Sequence, residues 1–393
     1  GSVPAKKDLA KGSRALALAL TGDVSRAQVL LNEISNEYDT WKQTTNGLST
    51  TVADKLGLAA WVIWNRLDSD TKERVRNVIT AEANYWANKT PLDMETACPY
   101  SGTTMECYEW KTPGEQSAWV ADFMALATRM FAGNTAAASW ERAAKTFAFH
   151  TFSKGETYNG ITVRSIFDDF LMDEHAYHPH PQYAIATIGE LGHAYLYYVK
   201  SGATQIPEEF SHNVVNVWNA HRPYVDFSRY LWNASMVQTE PGRVAAWPDE
   251  AFNNRGGKDD WGADATWTNN AFAYVSSLTG QQNLISDLTA YEYYIQDYNG
   301  YPAVANFKNR GEWGDVMPPH WKYTLDAIVA ERHAYSLIYN DPSITLTPIN
   351  TLAIASATFN GQALDLTGAA TLSTTLGGSG NIREIPVDIT DST

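Results

Sequence analysis

The sequence predicts a mainly α-helical protein, an (α/α) toroid of about six or seven helical hairpins followed by a short C-terminal β segment. Apolar residues recur with helical spacing over residues 6–339, in stretches of roughly 14 to 20 residues. After Pro342 the composition changes to alternating Thr, Leu, Ile and Ala, which is typical of strands. No alternating stretch interrupts the helical part, so we expect no strands there.

The helical stretches follow one another in pairs joined by turn residues. Asp68-Ser69-Asp70 supplies N-cap residues within one pair, and Gly133-Asn134 divides another. No repeat of about 34 residues is present, which disfavours an open solenoid and favours a closed ring. The predicted pairs are 15–20 with 25–41, 54–67 with 71–86, 114–131 with 136–152, 181–199 with 207–220, and 263–278 with 281–298, before a last helix at 319–339.

The chain divides into two predicted units. Residues 1–340 form the toroid and carry the catalytic site, and residues 341–393 form a small β-rich appendage. Within the appendage, residues 354–359 alternate as in a strand, and Asn360-Gly361 provides the turn of a hairpin.

Composition excludes several classes of partner. The 29 basic and 44 acidic residues give a net charge of −15 without a Lys/Arg cluster, which disfavours nucleic acids and anionic membrane surfaces. No run approaches the roughly 20 apolar residues that a membrane span requires. The acidic charge, the aromatic content and the low cysteine count favour a secreted or periplasmic protein, and Gly1-Ser2 resembles the remnant of a tag. Cys98 and Cys107 are predicted to form one disulfide within a short polar loop; the oligomeric state is left open.

One ten-residue run, Met172 to Pro181, concentrates ionisable side chains. It holds three of the nine histidines, a tyrosine and two carboxylates, and its prolines favour an extended chain. Histidine titrates near neutral pH, and tyrosine can donate or accept a proton. Because a helix follows at once, the run lies at a helix N-terminus, a common place for an active site. The candidate catalytic residues are Glu174, His175, Tyr177, His178 and His180.

Four long segments without helical periodicity are candidates for the mouth of the toroid: 92–113, 153–181, 240–262 and 300–318. They are rich in Gly, Pro, aromatic and ionisable residues. Arginines there can neutralise a carboxylate of a substrate, and the rings of the 14 tryptophans and 21 tyrosines of the chain include candidates for stacking on sugar faces. The candidate substrate-binding residues are Arg243, Arg255, Arg310, Trp247, Trp261 and Trp313.

This combination of helix pairs, a His/Tyr-rich loop, long aromatic loops and a short β tail resembles the (α/α)-toroid polysaccharide lyases, which cleave alginate, glucuronan and heparin-like uronate polymers. The resemblance covers the architecture of residues 6–340; several of these lyases carry an Asn-His pair where this chain has Glu174-His175. It implies β-elimination on a uronate polymer. That reaction needs a group to neutralise the uronate carboxylate, a base and an acid, for which an arginine, His175 and Tyr177 are suitable.

Two other glycan functions stay open. Inverting glycoside hydrolases use two carboxylates about 6.5–9.5 Å apart. Asp173 or Glu174 can supply one of them. A non-catalytic glycan-binding protein would use the aromatic rings alone. The candidates for the second carboxylate are Glu240, Asp249, Asp260 and Asp264.

No cofactor is expected for the lyase, although the sequence contains residues that can ligate metals. Zinc is possible at His175, His178 and His180, although only the last two share a face of an extended chain. Calcium is possible in the loop that holds Asp249, Asn253 and Asp259. The run Asp168-Asp169-Phe170-Leu171-Met172-Asp173 also resembles the Asp-rich magnesium motif of the all-helical terpene synthases, whose second metal motif is not evident here.

Overall fold

The computed structural model describes residues 2–45, 47–94, 113–174, 178–179 and 181–221, together with short segments at 225–226, 231–232, 274–275, 277–279, 338, 341, 343–349, 354–359, 362–363 and 388–391. Over these residues the protein is mainly α-helical, as predicted. The helices are α1 (Ser2–Leu20), α2 (Val24–Asn36), α3 (Tyr38–Trp41), α4 (Leu48–Val62), α5 (Ser69–Trp86), α6 (Pro113–Met130), α7 (Ala137–Thr151), α8 (Pro181–Lys200) and α9 (Val214–His221).

The first four predicted pairs are present, with shifted bounds. The helix predicted at 25–41 is interrupted at Glu37, and the one predicted at 207–220 is a 3₁₀ turn (Glu208–Ser211) followed by α9. Helix α4 begins six residues before the predicted 54, because Thr44 and Ser49 hydrogen-bond reciprocally, each hydroxyl accepting from the other residue's amide, and so support an earlier start. Asp68 caps α5 as predicted, accepting a hydrogen bond from the Thr71 amide at 2.7 Å.

The helices form an inner and an outer row. In α4, 13 of 15 residues are buried, and in α6, 16 of 18, whereas α2 buries only 4 of 13 and α5 only 7 of 18. A helix that is buried all round lies inside, and one with a single apolar stripe lies outside. In the inner row α1 packs on α4, α4 on α6 and α6 on α8, while α2, α5 and α7 follow one another outside. This arrangement agrees with successive helical hairpins; closure into a toroid stays a prediction, since the remaining predicted pairs fall largely outside the described residues.

One extended segment shows which ends of the inner helices lie together. Within residues 343–349, the Leu346 amide donates to the Lys200 carbonyl at 2.9 Å, and the Ile349 amide donates to the Met130 carbonyl at 2.7 Å. The Trp61 indole donates to the Thr347 carbonyl at 2.7 Å. The last carbonyls of a helix lack partners within it, so this segment satisfies those of α6 and α8. The C-terminal ends of α4, α6 and α8 therefore share one end of the structure, and their N-terminal ends share the other.

The expectation that no strand lies among the helices was wrong. Strands β1 (Lys154–Tyr158) and β2 (Ile161–Arg164) form an antiparallel hairpin between α7 and α8, within the predicted loop 153–181. Its two-residue turn is Asn159-Gly160, with φ of 50° and 75°. Two positive φ angles give the turn that matches the twist of a hairpin, and Asn-Gly adopts them at low cost.

Other strands are short. In the segment before α8, β3 (Asp173–Glu174) pairs with β4 (His178–Pro179), and after α9, β5 (Val225–Asp226) pairs with β6 (Leu231–Trp232). Near the C-terminus, β7 (Ile354–Phe359) lies between β8 (Gln362–Ala363) and β9 (Asp388–Asp391). Phe359 pairs with Gln362 across the predicted Asn360-Gly361 position. Strands are thus present where the sequence predicts them; the domain boundary at 340 stays a prediction.

No helix in the described ranges has both the length and the apolar character that crossing a bilayer requires.

Candidate functional site

The His/Tyr-bearing segment begins on a short antiparallel strand pair at the N-terminal end of the inner helices. Asp173 pairs with Pro179, and Glu174 with His178. Helix α8 begins two residues after β4, at Pro181, as predicted. The backbone is therefore extended at both ends of the segment.

The chain that enters β3 lies directly on the start of α6. A Cβ placed on Gly114 would come within 3.0 Å of the Met172 Cε atom, and β3 itself contacts α6. The beginning of α6 in turn contacts the loop before α4, because the Gln116 side-chain amide donates to the Thr45 carbonyl at 2.8 Å. The strand pair β3–β4 is thus located where the N-terminal ends of α6 and α8 meet.

His221 fixes this chain from the side. It is fully buried at the end of α9, and its Nε2 accepts a hydrogen bond from the Met172 amide at 3.2 Å. Its Nδ1 lies 2.7 Å from the Val217 carbonyl and donates to it. An imidazole that donates at one nitrogen and accepts at the other is neutral, and burial lowers the pKa of His221 to about 4. We conclude that His221 has a structural role.

The Asp-rich run at 168–173 does not form a helical metal motif. Residues 168–170 form a turn, with Phe170 at a φ of 68°. The Asp168 carboxylate is exposed and pairs with Arg164 at 2.9 Å, and Asp169 accepts a hydrogen bond from the Leu171 amide at 3.2 Å. Terpene synthases are all-helical, whereas this run is a turn followed by a short strand, so the resemblance to that class is not supported.

Tryptophans in the described ranges mainly belong to the core. Their rings pack between helices, and their indole N–H groups often bond to protein acceptors, as in Trp86 with Glu82 at 2.9 Å and Trp140 with Asn84 at 2.8 Å. The buried members are Trp41, Trp61, Trp64, Trp86, Trp140 and Trp218.

Two clusters of ionisable side chains lie deep between the inner helices. In the first, the Tyr197 hydroxyl donates to Asp54 at 2.6 Å, and the Lys55 ammonium lies 2.8 Å from the other oxygen of the same carboxylate. This contact joins α4 to α8 and balances one negative charge with one positive charge.

The second cluster joins α6 to α8 and consists of Asp122, Glu190 and His193, which are 2%, 7% and 0% exposed. The His193 Nδ1 atom lies 3.3 Å from a Glu190 oxygen and 3.5 Å from an Asp122 oxygen. One ligand atom from each residue lies within 4.8 Å of the others, so these three residues are able to hold a metal ion. They are not among the site residues that the sequence predicts.

Most residues predicted for the active site lie outside the described part of the chain. The structure gives the backbone of Glu174 and His178 and brings these two residues opposite each other. The predicted disulfide Cys98–Cys107 and the candidate calcium residues Asp249, Asn253 and Asp259 also fall outside the described residues. The other candidates outside the described part of the chain are His175, Tyr177, His180, Arg243, Arg255, Arg310, Trp247, Trp261 and Trp313, together with the candidate hydrolase carboxylates Glu240, Asp249, Asp260 and Asp264.

Family models, curated proteins and solved structures contain no match to this chain.

Proposed function

We propose that the protein is a polysaccharide lyase that cleaves a uronate-containing polysaccharide by β-elimination. The observation that supports this proposal best is the position of the β3–β4 pair. It brings the ends of the segment that contains His175 and Tyr177 to the N-terminal ends of α6 and α8.

An anionic polymer suits that location. The N-terminus of a helix has unpaired amide groups and a partial positive charge, which favour a carboxylate nearby. Two inner helices begin here, and the protein as a whole carries a net charge of −15, so local positive potential is needed to attract an acidic substrate.

The residue types of the segment fit the reaction. In β-elimination, a base removes the proton next to the uronate carboxylate, and an acid protonates the leaving glycosidic oxygen. We assign the base and the acid to His175 and Tyr177. An arginine from a facing loop, Arg243, Arg255 or Arg310, neutralises the carboxylate and so stabilises the negative charge that develops during proton removal. Trp247, Trp261 and Trp313 are the stacking platforms for the sugar rings in this proposal, and the enzyme acts outside the cytoplasm, where such polymers occur.

The direct test is incubation with a panel of uronate polymers, namely mannuronate- and guluronate-rich alginate, glucuronan and a heparin-like polymer. Elimination creates a carbon–carbon double bond conjugated with the carboxylate, so ultraviolet absorbance rises together with new reducing ends. We expect both signals on at least one polymer of the panel. Neutral glucans and xylans are the matched controls, since they lack the carboxylate that makes the proton removable.

Hydrolysis is the second candidate, because β3 consists of two carboxylic acids, Asp173 and Glu174. An inverting hydrolase would use one of them with a second carboxylate about 6.5–9.5 Å away. The same assay separates the reactions, since hydrolysis produces reducing ends without a rise in absorbance.

A further inference from the structure

We propose that Asp122, Glu190 and His193 form a binding site for one divalent transition-metal ion of the zinc class, which ties α6 to α8. Asp122 and Glu190 each lie nine residues after the first residue of their helix, Pro113 and Pro181 (122 − 113 and 190 − 181). Neighbouring inner helices run in the same direction, so the two carboxylates lie at the same depth. His193 is one turn further along α8, and a helical side chain points back toward the N-terminus, onto the position of Glu190.

Two distances within the cluster, both from the His193 Nδ1 atom, match a coordination sphere better than a charge-assisted hydrogen bond. Ligand atoms at about 2.0–2.1 Å from a tetrahedral zinc ion are about 3.3 Å from one another. The His193 Nδ1 atom lies 3.3 Å and 3.5 Å from oxygens of Glu190 and Asp122. A charge-assisted N–H···O bond would be shorter, at about 2.7–2.9 Å.

The charge and the burial of the two carboxylates also favour a bound cation. Asp122 and Glu190 are both buried, and a cation between two buried carboxylates favours the charged form of each. A divalent cation supplies this positive charge and stabilises both.

The ligand set selects the class of metal. One imidazole and two carboxylates suit zinc and neighbouring first-row metals, whereas calcium and magnesium favour oxygen ligands alone. The second oxygen of either carboxylate is able to complete four-coordination.

This site is separate from the proposed active site. Nine helical residues span about 13 Å, so the cluster lies well below the N-terminal ends of α6 and α8, where β3 and β4 are. It also differs from the zinc site considered for His175, His178 and His180. Its role is to stabilise the inner row, independently of which reaction the protein catalyses.

The test uses the full chain, purified without a metal-affinity step, stripped with a strong chelator and then incubated with Zn²⁺. We expect about one equivalent of zinc per chain by elemental analysis. The melting temperature should fall when the metal is removed and recover with Zn²⁺, but not with Ca²⁺ or Mg²⁺, since the free energy of metal binding adds to the free energy of folding. Cobalt substitution should give visible d–d absorption of a tetrahedral ion. A wild-type chain that binds no stoichiometric zinc and melts at the same temperature with and without it would overturn the proposal.

Variants assign the ligands. Glu190→Gln and His193→Gln keep the approximate size of each side chain and should weaken zinc binding at least 10- to 100-fold, on the scale of losing part of a metal site. His212→Gln is the matched control, because His212 is not one of the three clustered ligands and stacks on Phe149 with the ring centroids 3.8 Å apart, so its substitution should leave zinc binding unchanged. Zinc binding to both cluster variants at wild-type affinity would contradict the assignment, and where a variant does not fold, the zinc stoichiometry and cobalt spectrum of the wild type decide.

Discussion

His221 accepts a hydrogen bond from the backbone amide of Met172 at 3.2 Å, and this contact holds the chain directly before β3. The two residues are 49 positions apart, at the end of α9 and at the entry to the His/Tyr-bearing segment. The imidazole can accept this bond only while its Nε2 atom is unprotonated.

Stability should therefore depend on the protonation of His221. Burial lowers its pKa from 6.5 to about 4, so between these values the unfolded chain binds the proton and the folded chain does not. Stability then rises with pH across this window and is lost as pH falls from 6.5 toward 4, by up to about 3 kcal/mol for a shift of this size. Asp8 has its pKa raised to about 6, mainly by burial, and acts in the opposite direction over part of the window.

The quantity to measure is the difference in the free energy of unfolding between the wild type and a His221 variant. Asp8 is present in both proteins, so its contribution cancels. Denaturant unfolding of the wild type and of His221→Gln at several values between pH 4 and 7 should show that the variant is less stable at pH 7, and that the gap narrows toward pH 4. If the difference in stability between the two proteins stayed constant over this range, His221 would have the same pKa in the folded and the unfolded chain, and the prediction would be wrong.

The close approach of α1 to α4 gives a prediction on packing. A Cβ on Gly12 would lie 2.8 Å from the Lys55 Cβ atom, which the backbone of α4 fixes in place. Gly12→Ala should destabilise the protein by about 1–3 kcal/mol, since overpacking outweighs the roughly 1 kcal/mol that alanine gains in a helix.

Gly57 provides the control for that substitution. Its Cβ would meet the Leu126 Cδ2 atom at 2.5 Å, but this atom is the end of a side chain that can change its rotamer. Gly57→Ala should consequently cost less than Gly12→Ala in chemical unfolding. Equal or reversed costs would mean that α1 is free to move away from α4.

The sequence predicted the helices well because their formation depends on local spacing. Apolar periodicity located the first four pairs, and Asp68 was recognised as a cap. The hairpin β1–β2 was missed although Asn159-Gly160 is a strong local signal, since its strands are short and partly exposed.

Contacts between distant residues were not predictable in the same way. Asp122 and Glu190 are 68 positions apart (190 − 122), and both lie in helices made mostly of apolar residues. The one available signal was that Glu190 and His193 share a face of α8 at i and i+3 spacing. Their meeting with Asp122 depends on which inner helices are neighbours, and periodicity carries no information about that.

The segment 343–349 gives a prediction on domain limits. It donates hydrogen bonds to carbonyls at the ends of α6 and α8 and accepts one from Trp61, so we expect it to contribute to the stability of the helical part. A chain that ends after residue 340 should melt at a lower temperature than one that ends after residue 350, because each lost hydrogen bond to a buried group costs about 1 kcal/mol. Equal melting temperatures would mean that solvent replaces these contacts without loss.

The proposed function depends on two side chains of the segment between β3 and β4. His175→Ala and Tyr177→Phe should each reduce the rate of elimination about 10²–10⁴-fold, the usual contribution of a general acid or base. Circular dichroism and melting temperature should stay close to those of the wild type. His212→Gln serves here too as the control, and it should keep its activity.

The most direct measurement is the ultraviolet absorbance of the wild-type protein and the two variants with the best uronate polymer, recorded beside a reducing-sugar assay. The account predicts that absorbance and reducing ends rise together with the wild type and that both signals nearly vanish with each variant. Reducing ends without absorbance, or near-full activity of both variants, would contradict it.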